Sequence, residues 1–337
     1  MKKTILFLAA AALVLSGCAK KSGTDSENAD KRYFDAWMLV HHPDLVPTQL
    51  GAYVLEDTEG EGELVGDAEK SRYVRVDYTV TDLDGNVSAT TSKKVAQQIG
   101  TYSDANHYGP AIWDRSSNGV YAGLDEALST MRVGGTRKTI IPGWLLTFDR
   151  YDTAQEYVDN ASGANAVYTL AVREVIEDVS KWELDSIGRY LARNYPQVAP
   201  ADSVKYGFYY VRTKEPEGLE KFENDTTIYI NYTGRLLDGT VFDTTVKDTA
   251  KVYGIYSASK SYAPTQVNLK KEDYTQNSFS SSSSLIDGFA YALSLLGEFE
   301  AGTSIFYSPL GYSTSGSGNS IPAYSPLRFD IEVVSKP

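Results

Sequence analysis

The chain repeats itself, and this repeat limits what it can fold into. Residues 76–91 read VDYTVTDLDGNVSATT and residues 230–245 read INYTGRLLDGTVFDTT, an offset of 154 positions. The two stretches share Tyr, Thr, Leu, Asp-Gly, Val and Thr-Thr at matching places. Asp-Gly between alternating residues is typical of a tight turn, so each stretch predicts a β-hairpin. A duplicated hairpin in 337 residues favours two similar domains over one large core.

Segments on either side of the hairpins repeat as well. A predicted helix precedes each hairpin and stops at Pro43 or Pro196, because proline disfavours a helical backbone at the residue before it. In the second copy, Ser180 and Glu183 form the pattern of a helix capping box. After its hairpin, each copy predicts a long loop and then a short helix. The other predicted strands are 51–55, 137–142 and 167–175 in the first copy, and 207–211, 303–309 and 327–334 in the second. The predicted class is α+β, with two domains that each have an antiparallel β-sheet wrapped on a short α-helix, and a helix preceding each.

The copies differ where the second hairpin strand ends. Phe242 and Asp243 stand where the first copy has Ser88 and Ala89. The second copy also carries an ordered series of motifs, namely Tyr232-Thr233-Gly234, Asp238-Gly239-Thr240, Leu285-Ile286-Asp287-Gly288-Phe289, Tyr312, Ile321-Pro322 and Leu327–Glu332. Over residues 201–337 this series resembles the FKBP-type peptidyl-prolyl cis-trans isomerases. Residues 50–178 resemble the family more weakly.

This resemblance implies an apolar, aromatic-walled cavity that accepts a proline ring. Its floor and walls would be Tyr232, Phe242, Ile286, Phe289, Tyr312 and Phe329, with Leu285 and Ile321 at the rim as substrate-binding residues. Asp243 would be a buried acceptor that orients a neighbouring hydroxyl or backbone N–H. Amide rotation needs no nucleophile, metal or cofactor, and we expect none.

Three departures from the family pattern bear on activity. Phe289 stands where the family usually has tryptophan. The segment between Asp243 and Leu285 is longer than usual, and we expect it near the pocket mouth. The first copy has Ser88 and Ala89 in place of the Phe-Asp pair, and Leu124 in the tryptophan place, so we interpret it as a degenerate, non-catalytic domain.

The N-terminus has the pattern of an export signal. Lys2 and Lys3 precede an apolar run at 5–15 that is too short to span a bilayer. The sequence from Leu15 to Cys18 resembles the lipobox of bacterial lipoproteins, which implies cleavage before Cys18 and a lipid on that residue. An ordinary secretory signal with a chance cysteine is the alternative. The predicted division is a signal peptide (1–17), a lipid-anchored tether (18–30), the degenerate FKBP-like domain (31–178), a helical linker (179–200) and the isomerase-like domain (201–337).

Three functions remain open on the sequence alone. The first is a lipid-anchored isomerase that acts on proline-containing polypeptides in a bacterial cell envelope, at the outer membrane. The second is a non-catalytic binding module or chaperone, and the third is an envelope surface or adhesion protein. The net charge of −12 argues against nucleic acid as a partner. His41, His42 and His107 lack metal-ligand spacing, so we expect no metal site.

Overall fold

The computed structural model describes residues 24–116, 119–280 and 284–337. The predicted signal peptide, Cys18 and most of the serine run at 280–284 lie outside the described residues. Across the described ranges, no helix combines the length and the apolar character that crossing a membrane requires.

The first domain is an antiparallel sheet preceded by a long helix. The helix, α1, spans Thr24–His41. The elements that follow are β1 (Tyr53–Thr58), β2 (Tyr73–Thr81), β3 (Val87–Thr90), α2 (Lys93–Gln98), β4 (Ala111–Asp114), α3 (Ala122–Ser129), β5 (Thr136–Ile141), α4 (Ala154–Asn160) and β6 (Ala166–Ile176).

The second domain follows the same plan. The helix that precedes its sheet, α5, spans Val179–Asn194. The later elements are β7 (Phe208–Lys214), β8 (Thr226–Leu236), β9 (Val241–Thr244), α6 (Lys247–Val252), β10 (Thr265–Leu269), β11 (Ser278–Phe279), α7 (Asp287–Leu295), β12 (Ala301–Phe306) and β13 (Leu327–Val334).

The two sheets have equivalent strand orders. The first runs β1-β5-β6-β2-β3, with β4 also paired to β2. The second runs β7-β12-β13-β8-β10-β11, with β9 also paired to β8. The pairings between the named strands are antiparallel. Each core strand therefore has a counterpart in the other sheet, and the α+β prediction of two sheet-and-helix domains is confirmed.

The core of the second domain lies between its sheet and α7. Burial alternates along β13, where Leu327, Phe329, Ile331 and Val333 are buried and the residues between them are partly exposed. This period of two is what a half-buried strand requires. The helix approaches closely because residue 288 is glycine. A Cβ atom there would lie 2.5 Å from the Phe306 ring.

The predicted capping box of α5 is wrong. Asp178 is the N-cap, and its carboxylate accepts a 3.0 Å hydrogen bond from the Lys181 N–H. Aspartate is as good an N-cap as serine, so the helix begins before Ser180. Glu183 is instead buried, at 1% exposure, and accepts hydrogen bonds from the N–H and hydroxyl of Ser308 at 2.6 and 2.7 Å. The helix is thus tied to the second domain.

The predicted long loops after the hairpins contain regular structure. In the first domain the segment forms α2 and β4, and in the second it forms α6, β10 and β11. These elements are at most six residues long. Segments this short carry too few residues for a periodic pattern to show in the sequence.

The two domains contact each other through the loop that follows β12 and through the turn between β8 and β9. Tyr324 of this loop is 7% exposed and packs in a cluster with Ile112 and Ile176 of the first domain. The His107 N–H donates a 2.8 Å hydrogen bond to the Asn319 carbonyl. Nδ1 of His107 lies 3.3 Å from Oδ2 of Asp238. Burial alone would raise the pKa of Asp238, but the neighbouring His107 imidazole and hydrogen bonds from Thr240 outweigh it and lower the pKa to about 2.

Candidate active site

Four aromatic rings of the second domain meet between the sheet and α7. They belong to Tyr232 on β8, Phe242 on β9, Phe289 on α7 and Phe329 on β13. The Phe329 ring centroid lies 4.8 Å from that of Phe289 and 5.6 Å from that of Phe242. Tyr232 meets Phe289 edge-on at 5.3 Å. Tilted and edge-on pairs of this kind contribute roughly 0.5–1.5 kcal/mol beyond burial.

Gly234 makes room for this ring cluster. A Cβ atom at this position would stand 2.4 Å from the Phe242 ring and 2.9 Å from the Phe329 ring. Any side chain would force the rings apart, so the glycine of the Tyr-Thr-Gly motif has a steric role.

The other predicted apolar residues surround the ring cluster. Ile321 is 3% exposed, and Leu285, Ile286 and Tyr312 are partly buried against the same core. Ile286 is the N-cap of α7, which fixes where the helix begins beside the rings. Burial raises the pKa of the Tyr312 hydroxyl, and the nearby Asp243 carboxylate adds to this effect. The structure brings the predicted wall and rim residues together.

Asp243 joins the ring cluster to a charged loop. Its Oδ2 accepts a 2.6 Å hydrogen bond from the Tyr232 hydroxyl, and its Oδ1 forms an ion pair with Lys260. Burial raises the pKa of Tyr232, and the Asp243 carboxylate raises it further, so the phenol remains a donor. The expected hydroxyl partner is present, but the expected burial is not. The Asp243 side chain is 38% exposed, because β9 lies off the main path of the sheet and, among the described residues, pairs only with β8.

Sequence reasoning missed two residues at this site. Phe279 on β11 lies 6.3 Å from the Tyr232 ring and 6.0 Å from Phe289, between ring centroids. Lys260 lies in the long segment after Asp243, which was expected near the pocket mouth. Its ion pair with Asp243 brings this segment to the site.

A pair of tyrosines shapes the loop that carries Lys260. The rings of Tyr256 and Tyr262 stack at 5.3 Å, and the Ser257 N–H donates a 2.9 Å hydrogen bond to the Tyr262 hydroxyl. We call residues 255–264 the tyrosine loop.

The first domain has the same loop. Tyr102 and Tyr108 stack at 5.4 Å, and the Ser103 N–H donates to the Tyr108 hydroxyl at 3.1 Å. The sequence pattern Tyr-Ser-x-x-x-x-Tyr-x-Pro occurs at 102–110 and again at 256–264. The offset is that of the hairpins, so this motif was available to find the loop.

The first domain keeps the frame of the site and a tyrosine, Tyr78, in the place of Tyr232, but it lacks the rings of Phe242 and Phe289. The hydroxyls of Thr79 and Thr90 lie 2.8 Å apart across β2 and β3. Thr233 and Thr244 form the same contact at 2.9 Å, which explains the shared threonines of the repeat. Ser88, Ala89 and Leu124 supply no aromatic ring or carboxylate at the positions that correspond to Phe242, Asp243 and Phe289.

The site offers apolar walls and hydrogen bonds. Within residues 24–116, 119–280 and 284–337, no group of three or more His, Cys, Asp or Glu side chains is placed to hold a metal ion. The geometry gathers aromatic and aliphatic side chains beside the Asp243 carboxylate.

Residues 218–334 match the model of the FKBP-type peptidyl-prolyl cis-trans isomerase family. The second domain is therefore an FKBP-type domain, as its motifs predicted. The first domain repeats its strand order and is FKBP-like in fold.

Among curated proteins, the chain is similar to the macrophage infectivity potentiator of Trypanosoma cruzi. The two are 30% identical over 141 residues, which are 41% of this chain and 59% of that protein. The match thus spans about three fifths of the relative's length.

Two solved structures are similar at low TM-score. The three FKBP domains of wheat FKBP73 match at a TM-score of 0.29 and 16% identity, covering 84% of this chain and 94% of that one. The peptidyl-prolyl cis-trans isomerase of Pseudomonas syringae pv. tomato matches at 0.28 and 20% identity, covering 46% and 94%. Neither similarity bears on any residue of the site.

Proposed function

We propose that the second domain is a peptidyl-prolyl cis-trans isomerase that acts on proline-containing polypeptides. The observation that carries this proposal is the ring cluster with Asp243 beside it, inside the segment that matches the isomerase family. A proline ring is apolar and its nitrogen carries no hydrogen, so aromatic walls suit it.

The proposed chemistry is rotation about the amide bond before proline. The barrier is roughly 18–20 kcal/mol, because resonance gives the C–N bond partial double-bond character. Resonance also places negative charge on the carbonyl oxygen, and twisting the bond removes it. The twisted amide is less polar than the planar one. A site that excludes water favours the twisted form and so lowers the barrier.

Two tyrosines support this role in different ways. The Tyr232 hydroxyl is committed to Asp243, so its ring is fixed as a wall of the site. The Tyr312 hydroxyl makes no hydrogen bond within the described residues and is available to a substrate carbonyl. In this proposal Ile321 and Leu285 contact the peptide on either side of the proline.

The test measures cis-to-trans exchange of the peptide Ala-Leu-Pro-Phe by NMR, with the full chain as catalyst. We expect the native chain to accelerate exchange and the double variant Phe242→Ala, Asp243→Ala to lose roughly tenfold or more of that rate. The matched pair is Tyr232→Phe, expected to reduce the rate, and Tyr229→Phe on the same strand, expected not to. The Tyr229 hydroxyl donates a long 3.3 Å hydrogen bond to the Gln266 side chain.

Absence of catalysis by a folded native chain would refute the isomerase proposal. A chain that binds the peptide without accelerating exchange would instead be a binding module or chaperone. Phe279 favours this second candidate, because it packs on two rings of the site that would otherwise face the substrate.

We propose further that Cys18 carries lipid and holds the protein at a bacterial membrane, the outer one, in the cell envelope. The support is the lipobox-like sequence that ends at this cysteine. A single acyl chain anchors weakly, so firm attachment requires more than one. Detergent phase partition tests the idea. The native protein should enter the detergent phase and Cys18→Ser the aqueous phase; partition of both into one phase would exclude it.

A further inference from the structure

A cavity of about 480 Å³ opens in the first domain, at the position that corresponds to the ring cluster of the second. Its walls include Tyr78, Ser88 and Ala89, the counterparts of Tyr232, Phe242 and Asp243. The volume lies within the roughly 300–1,000 Å³ that is usual for small-molecule sites.

The cavity is open because two side chains of the second domain have small counterparts here. Ser88 replaces a phenyl ring, and Ala89 replaces the carboxylate that holds the tyrosine hydroxyl in the second domain. The hydroxyl of Tyr78 accordingly makes no hydrogen bond within the described residues. Its ring remains partly buried and lies 5.1 Å from the ring of Trp113, between centroids. Two aromatic side chains, Tyr78 and Trp113, thus form part of the cavity wall.

The second domain completes the cavity. Asn319 and Pro322, from the loop after β12, lie on its wall. The hydrogen bond from the His107 N–H to the Asn319 carbonyl, at 2.8 Å, holds this part of the loop in place. The cavity is therefore built from both domains.

The lining chemistry indicates a neutral, polar ligand with apolar ring faces. Apart from the imidazole of His107, no lining residue carries an ionisable acid or base group other than tyrosine. The side-chain amides of Asn106 and Asn319 make no hydrogen bond within the described residues. The chain as a whole has a net charge of −12, which disfavours anionic ligands. Aromatic faces beside free hydroxyl and amide groups match the two kinds of surface on a sugar ring, its C–H face and its hydroxyls.

We propose that this cavity is a binding site for a neutral oligosaccharide, separate from the proline site. A sugar ring lies against Tyr78 and Trp113, and its hydroxyls bond to Asn106, Asn319 and the Tyr78 hydroxyl. The proposal stands without the isomerase activity, because none of these residues belongs to the ring cluster of the second domain.

Tryptophan fluorescence tests the proposal on the full chain, because Trp113 lines the cavity. The probes are cellotriose, maltotriose and chitotriose, with the peptide Ala-Leu-Pro-Phe as the competing class. The variant Ser88→Phe, Ala89→Asp installs the residues of the second domain and should abolish binding. Asn106→Ala removes one amide and should weaken binding about three- to tenfold. Gln98→Ala removes an exposed amide outside the cavity and should leave binding unchanged.

The proposal is supported by saturable binding of at least one trisaccharide that is abolished in the double variant, weakened in Asn106→Ala and unchanged in Gln98→Ala. Failure of all three sugars to bind at millimolar concentration overturns it. So does binding that survives both cavity variants, or binding of the peptide alone. Asn106→Ala changes a partly exposed polar side chain, so it keeps the test valid if the double variant does not fold.

Discussion

At the scale of single residues, the packing around Phe289 accounts for the absence of the family's usual tryptophan. Phe289 is 3% exposed, and the rings of Phe279, Tyr232 and Phe329 lie around it at 6.0, 5.3 and 4.8 Å. We infer that Phe279 fills space that the larger indole would take. No motif in the sequence marks Phe279, because it lies in a two-residue strand that is too short to show a pattern.

Phe289→Trp should therefore overpack the site. We expect the free energy of unfolding to fall by about 1–3 kcal/mol. The combination with Phe279→Ala should cost less than the sum of the single changes, by roughly 0.5–3 kcal/mol, because the alanine makes room for the indole. Urea unfolding of the four proteins of this cycle measures the coupling. Simple additivity would show that the two side chains do not compete for space.

Glu183 gives a second prediction at this scale, on pH. Burial raises its pKa, although the N–H and hydroxyl of Ser308 oppose this effect. Between about pH 4.3, the ordinary glutamate value, and the raised pKa, the folded protein binds more protons than the unfolded chain. The free energy of unfolding therefore falls as the pH rises through this interval.

Glu183→Gln removes the titrating group, so the loss of stability as the pH rises above about 4.3 should be smaller than in the native protein. Urea midpoints measured across this pH interval give the difference. Glu177→Gln, at an exposed position, is the control and should keep the native dependence. An unchanged pH dependence in Glu183→Gln would show that this carboxyl is not a source of it.

At the scale of elements, the sequence predicted the elements that occur in both domains and the strands whose hydrophobic and polar residues alternate. The hairpins, the helix α7 and the strand β13 carry turn residues or a clear period, and the structure has them where expected. The elements α2, α6 and β10 were missed because they are short and depend on contacts with distant segments. The predicted site residues came from motifs in order along the chain. Lys260 belongs to none of the motifs shared with the isomerase family, and its role follows from the fold of the tyrosine loop.

The tyrosine loop suggests how access to the site is controlled. Lys260 and Asp243 are both 38% exposed, so their ion pair contributes only about 0–1 kcal/mol to stability and is open to salt. If the second domain is an isomerase, about 1 M salt should loosen the loop and raise its rate. Lys260→Met should be faster at low salt and insensitive to added salt.

Peptide exchange rates at low and high salt measure this effect. Lys270→Met is the matched control, because Lys270 pairs with Asp225 at 2.7 Å on an exposed part of the same domain. It should behave as the native chain does. A native rate that falls with salt in parallel with that of Lys260→Met would rule out control by this ion pair.

At the scale of the whole molecule, the first domain supports a loop that belongs to the site of the second. The loop from Tyr312 to Tyr324 supplies Tyr312 and Ile321 to the ring cluster on one side. On the other side, the Tyr324 ring meets Tyr73 of the first domain edge-on at 5.5 Å. The Tyr324 backbone has a φ of 57°, a left-handed conformation that a non-glycine residue keeps only when its surroundings hold it.

Replacing Tyr73 should therefore disturb the site, although Tyr73 lies in the first domain and is not part of the site. In Tyr73→Ala, the Tyr324 ring loses its edge-on partner, and we expect the loop to open more often. The Tyr324 N–H donates a 2.9 Å hydrogen bond to the Ser313 carbonyl, so its amide exchange rate reports this opening. We expect faster exchange at Tyr324 and, for an isomerase, a KM raised several-fold with little change in kcat, because the loop positions the substrate. Tyr33→Ala, at a position 66% exposed on α1, is the control and should change neither. Native exchange at Tyr324 in the Tyr73 variant would show that the loop holds its conformation alone, and that the first domain does not position it.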